Sequence, residues 1–194
     1  MSAPPGARLE RAYFDDLYRR DPDPWDFATS DYEREKYADS LAALGDRTFD
    51  RALEVGCSIG VFTQALAAVA RELVAVDVSA AAVAAARDRT AALEHVRVRQ
   101  ASLPEEMPAG RFDLIVCSEV LYYWDERLLE HGLDALVGAL VPEGVLLAVH
   151  WTERTREYPL QGHQVHDALT RRPDLAPVHG RDGSHYRLDL FRRA

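Results

Sequence analysis

Apolar and polar positions follow two rhythms along this chain, and the rhythms alternate in a regular order. In residues 7–20 (ARLERAYFDDLYRR), Leu9, Tyr13 and Leu17 recur at four-residue spacing, which predicts an amphipathic helix. The run Asp21-Pro22-Asp23-Pro24 ends it, because two fixed φ angles cannot continue a helix, and Trp25, Asp26 and Phe27 fall in a loop. A second helix is expected over 32–44, capped by Asp31, with Tyr37, Leu41 and Leu44 on one face and Gly45 as its stop.

From residue 51 the pattern becomes strand, glycine turn, helix, strand. Strands are predicted at 51–55, 73–78, 95–99, 112–118 and 144–150, and helices at 60–70, 80–92 and 126–140. The first of these helices turns Phe62, Leu66 and Val69 inward, and Ser79 caps the second. LVAVDV (73–78) and FDLIVCS (112–118) are almost continuously apolar, as strands covered on both faces must be. The tail offers a helix near 161–172 and strands near 175–180 and 185–192, where YRLDLF alternates with period two. Alternating β and α units predict an α/β fold: a doubly wound, Rossmann-like, mostly parallel seven-stranded sheet with helices on both faces.

Composition narrows this picture without redirecting it. A chain of 194 residues, 47% hydrophobic and 28% charged, suits one domain with its own core. Within it, 1–45 is an N-terminal helical segment, 51–151 a ligand-binding core, and 152–194 a C-terminal helix with antiparallel strands. A net charge of −9 disfavours a sequence-independent grip on nucleic acid. Cys57 and Cys117 stand far apart in apolar stretches, which speaks against a disulfide framework or a zinc site and suits a reducing cytoplasm. The start, MSAPPGARLERA, has no apolar core of a secretory signal, and the apolar stretch 73–86 is too short to span a bilayer. The expectation is a cytoplasmic protein with neither nucleic acid nor membrane as partner; its oligomeric state is not written in the sequence.

The candidate chemistry centres on LEVGCSIG (53–60). The first strand ends at Glu54-Val55-Gly56, on the edge where doubly wound sheets bind ligands. Gly56 and Gly60 allow a sharp turn and close approach of backbone N–H groups, and Asp77 stands 23 residues beyond Glu54, where an acidic side chain accepts from ribose hydroxyls. A dinucleotide needs G-x-G-x-x-G, and Ser58 breaks that pattern. Glu54 also suits a cationic ligand better than a pyrophosphate. S-adenosylmethionine, with ribose and adenine but no phosphate and a cationic amino-acid end, fits.

With V-D-V-S at 76–79, this loop resembles motif I and the following acidic position of class I S-adenosylmethionine-dependent methyltransferases. DPDPWDFATSDYEREKYADSLAAL, FDLIVCSEVLYYW and HW…YPLQGHQVH are further similar to the nodulation-protein-S-like N-methyltransferases. That resemblance implies S-adenosylmethionine as cofactor and, as acceptor, the free amine of a de-N-acetylated chitooligosaccharide or a similar small molecule. Residues 1–45 become a lid. Cofactor contacts fall to Gly56, Cys57, Ser58, Gly60 and Glu54, to Asp77 for the ribose, Val78 on the adenine face, and Ser118, Trp25 and Arg34, the last as partner of the cofactor carboxylate. The acidic residue usual near the end of the third strand is replaced by Ala101-Ser102-Leu103, so Ser102 and Leu103 are expected to contact the adenine. Tyr13, Tyr122, Tyr123 and Trp151 are candidates for the acceptor side, and Glu119, His150 and His166 for holding it or accepting its proton. Each histidine reads equally as a buried structural group. His163-x-x-His166 lacks a third ligand of suitable spacing, so no metal is expected. An O-methyltransferase, a cofactor-binding protein without transferase activity and a nicotinamide-dependent reductase are the alternative readings.

Overall fold

In the computed structural model, which describes residues 7–194, the chain runs α1 (Arg11–Arg20), α2 (Asp31–Leu44), β1 (Ala52–Val55), α3 (Val61–Leu66), β2 (Leu73–Asp77), α4 (Ala80–Arg89), β3 (Val96–Gln100), β4 (Phe112–Ser118), α5 (Glu126–Ala139), β5 (Leu140–Trp151), α6 (Gly162–Thr170), β6 (Leu175–Asp182) and β7 (Tyr186–Arg193). The seven strands follow the order β3-β2-β1-β4-β5-β7-β6, the Rossmann-like α/β arrangement that the alternating pattern predicts. Its contacts divide into two compact units, Glu10–Pro108 and a second made of Ala109–Ala194 with residues 7–9. The first six residues of the expected lid lie outside the described residues.

In the unit Glu10–Pro108, β1 and β2 pair in parallel from Ala52↔Leu73 to Val55↔Val76, and β2 pairs with β3 in the same sense as far as Asp77↔Gln100. Every residue of β1 and β2 is buried, so the two carboxyl groups they carry, Glu54 and Asp77, lie out of water. The helices depart from the sequence reading in instructive ways. In α1 the buried stripe is Phe14 and Tyr18, one position on from Tyr13 and Leu17, because two large rings bury more area than a leucine. In α2 the buried positions are Glu33, Lys36, Ser40 and Leu44 rather than Tyr37 and Leu41. Lys36, 1% exposed, is tolerated because its ammonium donates to Glu33 at 2.8 Å and lies 5.2 Å from the Tyr32 ring centre. The cap of α2 is Ser30, whose hydroxyl accepts the Glu33 N–H, not Asp31. α3 stops at Leu66, short of 70, as the chain tightens into i→i−3 bonds at Ala68 and Val69.

In the second unit β4 and β5 are parallel, and β5 pairs antiparallel with β7 from Val145↔Arg192 to Trp151↔Tyr186. β6 continues this antiparallel end. β5 begins at Leu140, earlier than 144, because Leu140 already pairs with Phe112. A 3-10 turn, Leu121–Tyr123, follows β4 where the pattern announces no element. None of the described helices is long and apolar enough to cross a membrane.

Candidate functional site

Between β1 and α3 the chain reverses through Gly56-Cys57-Ser58-Ile59-Gly60, and Gly56, Ser58 and Gly60 all take positive φ (77°, 49° and 82°). At Gly60 a side chain is excluded twice over: its φ is left-handed, and a Cβ would stand 2.9 Å from the Ala86 backbone of α4. Ser58 has no such freedom and is held by bonds instead. Its N–H donates to Asp77 Oδ2 at 2.8 Å, and its hydroxyl lies 2.5 Å from the Tyr18 hydroxyl of α1. Asp77 Oδ1 accepts the Ser79 N–H at 2.9 Å. Ser79 occupies the cap position of α4, but its hydroxyl donates to Asp15 rather than capping the helix.

Burial dominates the electrostatics of this loop. It pushes the Glu54 carboxyl up to about 8, against the pull of the Thr63 hydroxyl, with the nearby Asp77 adding to the rise. It pushes Asp77 up to about 6, although the N–H groups of Ser79, Ser58 and Val78 favour its charged form. The Cys57 thiol is raised well above its usual range by burial and two neighbouring carboxylates, so it is no nucleophile. Glu54 Oε2 is buried with no hydrogen-bond partner. A buried carboxyl with an unanswered oxygen is an unusual thing to keep in a core.

The remaining predicted cofactor residues of this unit are placed unevenly. Trp25 is half-buried, edge-on to Tyr18 at 5.9 Å and tilted against Phe27 at 5.4 Å. Tyr13 is half-buried and edge-on to Phe14. The Val78 carbonyl accepts from the Gln100 side chain at 2.9 Å, so a neutral amide stands at the end of β3. Ser102 departs from its expected role: its N–H and C=O both bond Glu106, which occupies the backbone groups meant for adenine, while Leu103 is buried. Arg34 is exposed, paired with Asp31 and donating to the Thr29 carbonyl, so its guanidinium is held locally rather than aimed at a ligand.

The second unit gathers a different set. Ser118 ends β4, half-buried and opposite Val149. Glu119 follows with φ of +53°. Its Oε2 accepts from the Tyr122 hydroxyl and from the Trp151 N–H at 2.9 Å. Tyr122 and Tyr123 are buried rather than open to an acceptor: with Tyr158 they form a ring cluster at 4.7–4.9 Å. Burial holds both hydroxyls neutral, well above their usual range. Trp151 is half-buried and stacks on His185 at 5.2 Å. His150 and His166 are not at a surface; both are fully buried, with their ring nitrogens engaged in a chain of hydrogen bonds. His163, one turn before His166 on α6, is exposed where His166 is buried, and among the described residues no three metal-ligating side chains converge.

Residues 11–155 match the family model of nodulation protein S (NodS). The chain belongs to the nodulation protein S family. Nodulation protein S of Bradyrhizobium diazoefficiens is 36% identical over 127 residues, which cover 64% of this chain and 61% of that protein. The matched stretches thus span about three fifths of the nodulation protein S sequences of B. diazoefficiens and Sinorhizobium fredii (61% and 57%). Among solved structures, the N-methyltransferase NodS of Bradyrhizobium japonicum WM9 in complex with S-adenosyl-L-homocysteine is 29% identical, covers 92% of this chain and 96% of its own, and superposes with a TM-score of 0.83. A Pseudomonas syringae structure is 40% identical with a TM-score of 0.74, over 84% of this chain and 99% of that one.

Within this nodulation protein S framework, the structure brings Glu54, Gly56, Cys57, Ser58, Gly60 and Asp77 together in one unit and Glu119, Tyr122 and Trp151 in the other. Residue-by-residue reading missed Tyr18 and Asp15, which tie α1 to the loop, and Asp189 and Tyr158. Asp189 left one trace: it interrupts the apolar half of YRLDLF, yet it is buried like its neighbours.

Proposed function

We propose that this protein is an S-adenosylmethionine-dependent N-methyltransferase whose acceptor is an amino sugar, of the de-N-acetylated chitooligosaccharide type, or a similar small amine. The observation that carries the reading is Glu54: a buried carboxyl whose Oε2 lacks a partner suits a cationic ligand group and is a poor neighbour for a pyrophosphate. S-adenosylmethionine, when bound, supplies a methyl group already activated on a sulfonium. Glu54 would hold its ammonium, Asp77 its ribose hydroxyls, and the Gly56–Gly60 backbone its methionine portion. The protein then has mainly to align donor and acceptor and exclude water.

Glu119 is the group suited to the acceptor. With Oε2 fixed by the Tyr122 hydroxyl and the Trp151 N–H, its carboxylate is held in one orientation, able to orient an amine and receive its proton. Nitrogen is favoured over oxygen because a hydroxyl acceptor needs a strong base, and Tyr122, Tyr123 and Cys117 are all held in their protonated forms by burial. The two free, buried thiols suit the cytoplasm.

Incubating the full chain with S-adenosylmethionine and a de-N-acetylated chitooligosaccharide should give a product carrying an added methyl on its free amine, read by mass spectrometry. Failure to bind S-adenosylmethionine overturns the cofactor assignment. Binding with methylation of hydroxyl acceptors only turns the reading to an O-methyltransferase. Binding without any product leaves a cofactor-binding protein.

A further inference from the structure

The unit Ala109–Ala194 buries a chain of polar side chains that the transfer of a methyl group does not itself use. The Leu121 N–H donates to His150 Nε2 at 3.2 Å. His150 Nδ1 and His166 Nε2 are 3.2 Å apart, and His166 Nδ1 lies 2.7 Å from Asp189 Oδ2. Arg187 Nε meets that same carboxylate oxygen at 2.8 Å. Both imidazoles are 0% exposed and Asp189 is 8% exposed. α6 reaches His150 because Gly162 has no side chain; a Cβ there would stand 2.2 Å from the Trp151 carbonyl oxygen.

The two ends of this chain fix every proton inside it. A backbone N–H only donates, so His150 Nε2 must accept, and the neutral ring keeps its proton on Nδ1. That N–H donates to His166 Nε2, so His166 also carries its proton on Nδ1 and donates it to Asp189. An ionised carboxylate only accepts, and Arg187 keeps Asp189 ionised. Reversing any link sets two donors face to face. A second proton on either ring would meet the Leu121 N–H or the neighbouring ring's N–H.

We propose that His150, His166 and Asp189 are positioning residues, forming a one-way hydrogen-bond chain that anchors the 3-10 turn Leu121–Tyr123 and so holds the Tyr122 hydroxyl on Glu119. The Tyr122 ring meets His150 edge-on at 5.2 Å, and its hydroxyl donates to Glu119 Oε2. The residue after His150 supplies the Trp151 N–H to the same oxygen. One stretch of β5 therefore fixes the turn through a side chain and the carboxylate through its backbone. The consequence for an acceptor amine rests on the methyltransferase reading; the proton arrangement does not.

Nitrogen-15 NMR of ring-labelled protein reads the tautomers directly. Both His150 and His166 should show the Nδ1–H form at neutral pH, and an Nε2–H form or an imidazolium at either overturns the chain. His150→Phe keeps a ring against Tyr122 but removes the acceptor, so the Leu121 amide should exchange with solvent at least about tenfold faster; unchanged exchange overturns the anchor. Asp189→Asn adds a donor where only an acceptor belongs. It should mix the His166 tautomers and lower kcat toward an amine acceptor by roughly tenfold or more, with cofactor affinity kept. Mixed tautomers with full turnover overturn the positioning role. Wild-type protein that binds cofactor but methylates nothing sinks the proposed reaction instead, and the tautomer and exchange measurements then decide the chain alone.

Discussion

Glu54 shows how a single buried carboxyl couples ligand binding to protons. With its carboxyl pushed up to about 8, the free protein holds Glu54 neutral at pH 7, whereas an ammonium partner requires the carboxylate. Binding of S-adenosylhomocysteine should therefore release a proton, and affinity should climb from pH 6.5 to 8 by up to about tenfold per pH unit before levelling. Calorimetry in buffers of different ionisation heat measures both; a flat profile would detach Glu54 from the cofactor. Glu54→Gln, neutral at every pH, should flatten that profile and weaken binding at pH 8 by on the order of 10- to 100-fold. The placement of Glu54, Asp77 and the two glycines around one turn was legible because it follows from local spacing on a strand–turn–helix unit. The left-handed Ser58 was not, since the groups that hold it, Asp77 and Tyr18, stand 19 and 40 positions away.

At the scale of elements, the loop between β1 and α3 is shaped by its neighbours in α1 and α4. Gly60→Ala would force a Cβ against the Ala86 backbone at a φ of +82°, and a loss of about 2 kcal/mol or more, visible in denaturant unfolding, is expected together with weakened cofactor binding. For the Tyr18–Ser58 pair the signs differ. Tyr18→Phe leaves the Ser58 hydroxyl without its partner and should destabilise by roughly 1 kcal/mol. Ser58→Gly loses the same bond but relieves a left-handed L-residue, so it should be near neutral; a large loss would show that the strain is absent. Sequence periodicity recovered every strand and every long helix, because burial sets both rhythms. It failed for the inner face of α2, where Lys36 reads as solvent-facing until its partner Glu33 is seen beneath it. It also failed for the 3-10 turn Leu121–Tyr123 and for the histidine chain, whose links join residues 16 to 29 positions apart.

For the molecule as a whole, two buried carboxyls in the same unit set the response of folding to pH. Glu54 and Asp77 both have folded-state pKa values above those of an unfolded chain, so the native state binds the extra protons. The stability this contributes is fully present below about pH 4 and is lost as pH rises, first through about 6 for Asp77 and then through about 8 for Glu54. The free protein should therefore melt several degrees lower at pH 8 than at pH 6 in thermal scans, and Glu54→Gln should remove most of that difference. A melting temperature that rises over this interval would mean the two groups are not buried in the folded state. In the second unit Glu119 sets backbone strain against the bonds its carboxylate makes. Its backbone sits in a conformation that glycine would adopt more readily, yet Glu119→Gly would also leave the Tyr122 hydroxyl and the Trp151 N–H without their acceptor, so heat resistance should change little while the carboxylate proposed to meet the acceptor is lost. A laboratory lineage selected only for surviving heat would feel little pull to keep glutamate at this position, and the protein it yielded would be no weaker for having fallen idle.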